Sequence, residues 1–120
     1  MKNNYKTNPR LLDLISGLKE QSREKQVPLW RDIARRLERP TRITPEVNLS
    51  RINRYTKDKD LILVPGKVLG AGELNHTLTV AALSFSEGAR NKIIEAGGLC
   101  LSIKELMDRN PEGSRVRIIG

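Results

Sequence analysis

Cysteine and histidine are almost missing from this sequence: Cys100 and His76 are the sole example of each. A single thiol can form no intramolecular disulfide and no thiolate-rich metal site, which suits a reducing cytosol. In its Leu-Cys-Leu setting Cys100 reads as a small buried hydrophobe. One histidine excludes a histidine-rich metal constellation and leaves little for proton transfer or nucleophilic attack. His76, in Leu-Asn-His-Thr, reads as a polar residue of a turn or strand edge. Aromatics are as scarce, with one Trp, one Phe and two Tyr. Trp30 and Phe85 sit in apolar stripes and read as core, so only Tyr5 and Tyr55 are left to meet solvent. A platform on which bases stack is therefore not expected. No apolar run approaches the ~20 residues of a membrane span. Residues 1–6 are polar, without the apolar stretch of a signal peptide. A soluble cytoplasmic protein is expected.

Positive charge is abundant. The chain carries 22 Lys and Arg against 14 Asp and Glu, a net +8 with a pI of about 10.1. The excess is segregated: residues 1–59 hold 15 basic and 7 acidic side chains, residues 60–120 hold 7 of each. All of the net charge lies in the first half, which points to a polyanionic partner rather than to solubility alone. At 120 residues the sequence fits one domain, burying roughly two-thirds of its unfolded surface.

Asn8-Pro9 marks a helix start, Asn8 capping and Pro9 at the first helical position. Leu11, Leu14, Ile15 and Leu18 follow on one face, to about Lys25. Gly17 inside this helix costs about 1 kcal/mol relative to alanine. Pro28 opens a second helix with Leu29, Trp30, Ile33, Ala34 and Leu37 on its buried stripe, and Pro40 stops it. The other face carries Arg31, Arg35 and Arg39 at four-residue spacing, with Arg36 beside them and Arg42 beyond. Like charges at that spacing repel, so something negative is expected against them.

From Pro45 the elements shorten. A strand at residues 46–48 leads to a helix capped by Asn48 that displays Arg51, Asn53, Arg54 and Tyr55. Residues 60–64 (DLILV) read as a buried strand ended by Pro65-Gly66. Residues 65–72 then form a glycine-rich loop. A second apolar run, residues 78–85, meets a Ser86 cap and a helix with Ala89, Ile93 and Ile94 inside, stopping at Gly97-Gly98. A strand at residues 99–101 precedes a capping box, Ser102 with Glu105. After the Asn110-Pro111-Glu112-Gly113 turn, residues 116–119 close the chain as a strand. The pattern is α/β: a basic helical arm, residues 1–45, on a compact body, residues 46–120, as two parts of one domain.

The glycine-rich loop fails as a nucleotide site. A phosphate loop needs Gly-x4-Gly-Lys-Ser/Thr, whereas Lys67 follows Gly66 directly with no Ser or Thr after it. Gly70-Ala71-Gly72 also lacks the third glycine of a dinucleotide fingerprint. Two readings stay open for the loop, a structural turn and a surface lying on nucleic-acid backbone. Most carboxylates stand beside basic residues and read as solvated ion pairs. No cofactor, no metal and no catalytic residue is expected.

Several stretches are distinctive: residues 47–55 (VNLSRINRY), 64–74 (VPGKVLGAGEL) and 83–89 (LSFSEGA), together with 30–34 (WRDIA) and 110–113 (NPEG). In these the chain resembles the archaeal form of large-subunit ribosomal protein eighteen-e over nearly its whole length. Residues 67–98 also resemble the more distant bacterial large-subunit ribosomal protein fifteen. The resemblance implies a place in the 50S particle, contact with large-subunit ribosomal RNA, no catalysis, and a body built as an irregular superhelix of strand-strand-helix turns. Lys67, Gly70 and Gly72 match the family's glycine-rich loop, and Asn48, Arg51, Asn53 and Arg54 its asparagine-arginine segment. The long basic C-terminal tail of the eukaryotic form has no counterpart, which points to an archaeal source.

Charge and resemblance together give an RNA-contact set of Lys6, Arg10, Arg31, Arg35, Arg36, Arg39, Arg42, Asn48, Arg51, Asn53, Arg54, Lys57, Gly66, Lys67, Gly70 and Gly72. Arginine forks suit phosphates of folded RNA, and the arm with residues 48–57 is expected to clamp it. The expected partners are large-subunit ribosomal RNA and neighbouring large-subunit proteins, with a single copy in the ribosome and no membrane. The rival readings are a nucleic-acid-binding regulator outside the ribosome and a phosphate-handling enzyme using residues 66–72 with His76.

Overall fold

A computed structural model describes residues 8–39 and 44–120. Among them are five helices and five strands, in the order α1 (Pro9–Lys25), α2 (Pro28–Leu37), β1 (Glu46–Asn48), α3 (Leu49–Tyr55), β2 (Leu61–Leu69), β3 (Thr79–Phe85), α4 (Glu87–Glu95), β4 (Leu99–Ser102), α5 (Ile103–Arg109) and β5 (Val116–Ile118). The α/β expectation holds, and β2, β3 and α4 follow one another as strand, strand and helix.

Local chemistry sets the helix ends. Asn8 Oδ1 accepts from the backbone N–H groups of Arg10 (3.0 Å) and Leu11 (3.4 Å), with Pro9 at the first helical position. These bonds satisfy donors that no helical carbonyl can reach. Ser86 Oγ accepts from Ala89 N–H at 3.1 Å, and Ser102 and Glu105 form the reciprocal capping box that opens α5.

All strand pairings are parallel. β3 lies between β2 and β4, while the other side of β2 is shared end to end by two strands. β5 pairs with Leu61, Ile62 and Leu63, and β1 with Lys67, Val68 and Leu69. Side chains alternate across the sheet. Leu63, Ala81 and Leu101 join an apolar cluster with α1, α2 and α5; Ile62, Val64, Val80 and Ala82 join a second with α3 and α4. Helices thus cover both faces, which is why the strands read as continuous apolar runs rather than alternating ones. Trp30 is fully buried and its Nε1–H donates to the Pro111 carbonyl at 2.7 Å. Ile15, Leu18, Ile33 and Leu37, all from the stretch set apart as an arm, pack in the same cluster as Leu63.

Four expectations need correction. β2 does not stop at Pro65-Gly66 but runs to Leu69, with a register shift between Val64 and Lys67. Proline has no N–H to lose at such an irregularity. Gly66 lets the Pro45 carbonyl oxygen press where a Cβ would sit, and that oxygen accepts from Lys67 N–H at 3.0 Å. Ile94 is 54% exposed rather than inside. Cys100 and Phe85 are only partly buried at the edge of the second cluster, Phe85 with the Arg90 guanidinium 5.1 Å from its ring centre.

Candidate nucleic-acid interface

The buried stripe of α2 is Trp30, Ile33, Ala34 and Leu37. At about 100° per residue Arg31 and Arg35 fall on the opposite side. Both are exposed, and among the described residues neither has an ion-pair partner. Arg36 is placed differently. Its Nε lies 3.1 Å from Asp32 Oδ1 and its Nη1 donates to the Gly120 carbonyl at 3.2 Å, so this guanidinium braces α2 against the end of β5. Arg39 is exposed one residue past the helix cap, and Arg10 is exposed on the first turn of α1. Lys6 and Arg42 lie outside the described residues.

The short helix α3 buries Leu49 and Ile52. Arg51 and Arg54 point the other way and are exposed, the Arg54 guanidinium 5.9 Å from the centre of the Tyr55 ring. Tyr55 is 54% exposed, and Lys57 follows in open solvent. Asn48 stands at the cap position of α3 but makes no side-chain cap bond. Its Oδ1 instead accepts from Ala71 N–H at 3.1 Å, while Asn53 Oδ1 accepts from Asn75 N–H at 2.9 Å. Asn48, at the end of β1, thus fastens the glycine loop, and Asn53 of α3 fastens the segment just after it. Ser50 N–H adds a third tie, donating to the Ala71 carbonyl at 3.0 Å.

The loop's glycines are explained within the protein. A Cβ on Gly70 would lie 2.9 Å from Ala89 N at the start of α4. Gly72 has φ +93° and a Cβ there would lie 2.8 Å from Ser50 Cα at the start of α3. Only glycine adopts that backbone freely with another chain segment so close. Gly66 is buried in β2, whereas the neighbouring Lys67 side chain is exposed. Lys67 borders a cleft of about 280 Å³ with Arg36 and Arg39, so the structure brings these three together although they are distant in sequence. Lys92 was not foreseen: its Nζ donates to the carbonyls of Gly70 and Gly72, both at 2.8 Å. It sits in α4, and no local spacing links it to the loop.

His76 belongs to the same tied region. The Thr56 hydroxyl lies 2.6 Å from the Ile52 carbonyl and 2.7 Å from His76 Nε2. A hydroxyl has one proton to give. With that proton on the carbonyl, Nε2–H is the donor to Thr56, and the imidazole serves as a structural link. Among the described residues no group of His, Cys, Asp and Glu is arranged to hold a metal ion. Burial pushes the Cys100 thiol up, with nearby Arg90 opposing it, and Glu105 is held below the usual carboxylate range by the Ser102 backbone N–H and then its hydroxyl.

The arginines of α2 and α3 do not form one jaw. α2 packs with Leu63 on one face of the sheet and α3 with Ile62 and Val64 on the other, so the two sets of arginines stand on different faces.

The sequence model of the family described as "Ribosomal protein 60S L18 and 50S L18e" matches residues 3–120. A protein of Methanosphaerula palustris named large ribosomal subunit protein eL18 is 58% identical over 114 residues, 95% of this chain and 94% of that protein. A protein of the same name from Methanospirillum hungatei is 53% identical over 116 residues, 97% of this chain and 96% of its own. Another, from Methanococcus maripaludis, is 50% identical over 119 residues, 99% of both. With likeness running through nearly every part of the sequence, this chain belongs to the family of ribosomal proteins 60S L18 and 50S L18e.

Proposed function

We propose that this protein is a structural constituent of the large ribosomal subunit in the cytoplasm, where it binds large-subunit ribosomal RNA and touches neighbouring large-subunit proteins. It acts as one copy per particle, without catalysis or cofactor. Family membership supports the placement, as does the name large ribosomal subunit protein carried by its relatives. The observation that carries the RNA reading is the set of outward arginines, Arg31, Arg35, Arg51 and Arg54, which have no ion-pair partner among the described residues. Unpaired guanidinium groups neutralise phosphates and release counterions. Arg10, Arg39, Lys57 and Lys67 add further exposed positive charge, and Lys6 and Arg42 are included as RNA contacts from the sequence alone. Asn48 and Asn53 keep their amide N–H groups for sugar or base edges, since their oxygens are engaged. Residues 1–45 and 46–120 act as two parts of one domain, a reading that the shared apolar cluster favours.

Gradient fractionation of cell extract tests the placement: co-sedimentation with 50S particles through a salt wash is expected. A protein found only in the free fraction refutes it and favours the regulator outside the ribosome. Binding to a large-subunit RNA fragment is expected to weaken steeply between low and moderate salt; affinity indifferent to salt refutes the phosphate mechanism.

A further inference from the structure

Resting on that RNA reading, we propose that the arginines of α2 and those of α3 are two separate RNA-backbone sites on opposite faces of the sheet, so that the protein cross-links two RNA segments through its own thickness.

The case begins with strand parity. Adjacent residues of a strand project to opposite faces. In β2, Leu63 packs with the α2 stripe of Trp30, Ile33 and Leu37, whereas Ile62 and Val64 pack with Leu49 and Ile52 of α3. The two helices therefore cover opposite faces. Helical geometry adds direction: with those stripes turned toward the sheet, Arg31 and Arg35 project outward from one face and Arg51 and Arg54 from the other.

The body of the protein keeps the two sets apart. The sheet and its two apolar clusters lie between them, and charges further apart than the screening length of about 8 Å at physiological salt act largely independently. A phosphate drawn to Arg31 and Arg35 does little to satisfy Arg51 and Arg54. A locally straight stretch of RNA lies along one side of a slab, so the second set needs a second stretch. None of the four guanidinium groups is committed to an ion pair inside the fold, among the described residues. Arg36 shows the contrast, being held by Asp32 and the Gly120 carbonyl. Each pair of arginines alone offers only modest affinity. Once one segment is bound, the second meets its site at high effective concentration, so two weak contacts hold two parts of a folded RNA together.

The test uses the full chain and one short A-form RNA hairpin in two preparations, one with a donor dye and one with an acceptor. With the wild-type protein, energy transfer between hairpins is expected to rise as protein is added and fall again when protein is in excess, because excess protein separates the two labels. Arg31→Gln with Arg35→Gln, and separately Arg51→Gln with Arg54→Gln, should each bind one hairpin and give no transfer. For each double variant the slope of log affinity against log salt at the lost site disappears, roughly 0.9 per phosphate contact removed. Wild-type melting temperature in both variants excludes misfolding as the cause. One hairpin per protein with no transfer, weakened alike by both double variants, overturns the two-site proposal and leaves RNA binding standing. No hairpin bound at any salt overturns both.

Discussion

Two glycine-to-alanine substitutions should move stability in opposite directions, and the structure gives the reason for each. Gly17 lies inside α1, where an added Cβ meets only Met107 Cε, at 3.9 Å, an ordinary contact. Alanine there gains about 0.5–1 kcal/mol by restricting the unfolded chain. Unfolding entropy of about 2.1 cal/mol/K per residue over 120 residues makes 1 kcal/mol worth about 4 °C. Gly17→Ala is therefore expected to raise the melting temperature by about 2–4 °C. At Gly66 the added Cβ would press into the Pro45 carbonyl oxygen, 3.0 Å from the carbonyl carbon and 3.1 Å from Cγ of the same ring. None of these atoms can swing aside. β1 must move off β2, which also breaks the bond from Lys67 N–H to the Pro45 oxygen. Overpacking of about 1–3 kcal/mol and a lost hydrogen bond of about 1 kcal/mol predict a fall of about 8–16 °C. Thermal melts followed by far-ultraviolet circular dichroism decide it. If the two variants melt within about 2 °C of each other, the packing argument for these glycines is wrong.

Trp30→Phe removes the only donor that the described structure gives the Pro111 carbonyl from a side chain; a loss of roughly 1–3 kcal/mol should appear as a lower urea midpoint at unchanged slope. Glu105 has a folded pKa below its unfolded value, so its stabilisation is complete above the unfolded pKa and fades as pH falls through the folded one. Glu105→Gln should therefore shrink the drop in melting temperature between near-neutral and strongly acidic buffer, and an unchanged drop would refute this origin. Lys92→Met frees the carbonyls of Gly70 and Gly72. Hydrogen exchange at the Ala71 and Asn75 amides should quicken about tenfold, the worth of one charge-assisted bond, while β3 amides stay protected. Equal exchange in both proteins would show that Lys92 does not hold the loop.

Signals that act within a few residues were legible in the sequence. Asn8-Pro9 marked the start of α1, Ser102 with Glu105 that of α5, and Trp30, Ile33 and Leu37 the buried side of α2. The end of β2 is not legible because Pro65-Gly66 has the composition of a turn, yet Pro45, just before β1, decides its conformation from across the fold. The same limit hid the work of Asn48, Asn53 and Lys92, whose partners lie across the fold. Basic residues stood out by composition. Which of them share a face did not, because α2 and α3 part company only through strand parity and the order of the sheet.

The side of β2 shared by β1 and β5 bears on how the newly made chain matures. β1 arrives before β2 and can settle on Lys67, Val68 and Leu69 at once, but Leu61, Ile62 and Leu63 stay bare until Val116, Arg117 and Ile118 have been synthesised. Pairings that join distant parts of a chain form slowly, and a bare parallel edge invites other chains in the meantime. Pairing along this side of β2 becomes complete only once residues 116–118 have been made, and until then the bare edge at Leu61, Ile62 and Leu63 is a place where another chain can add.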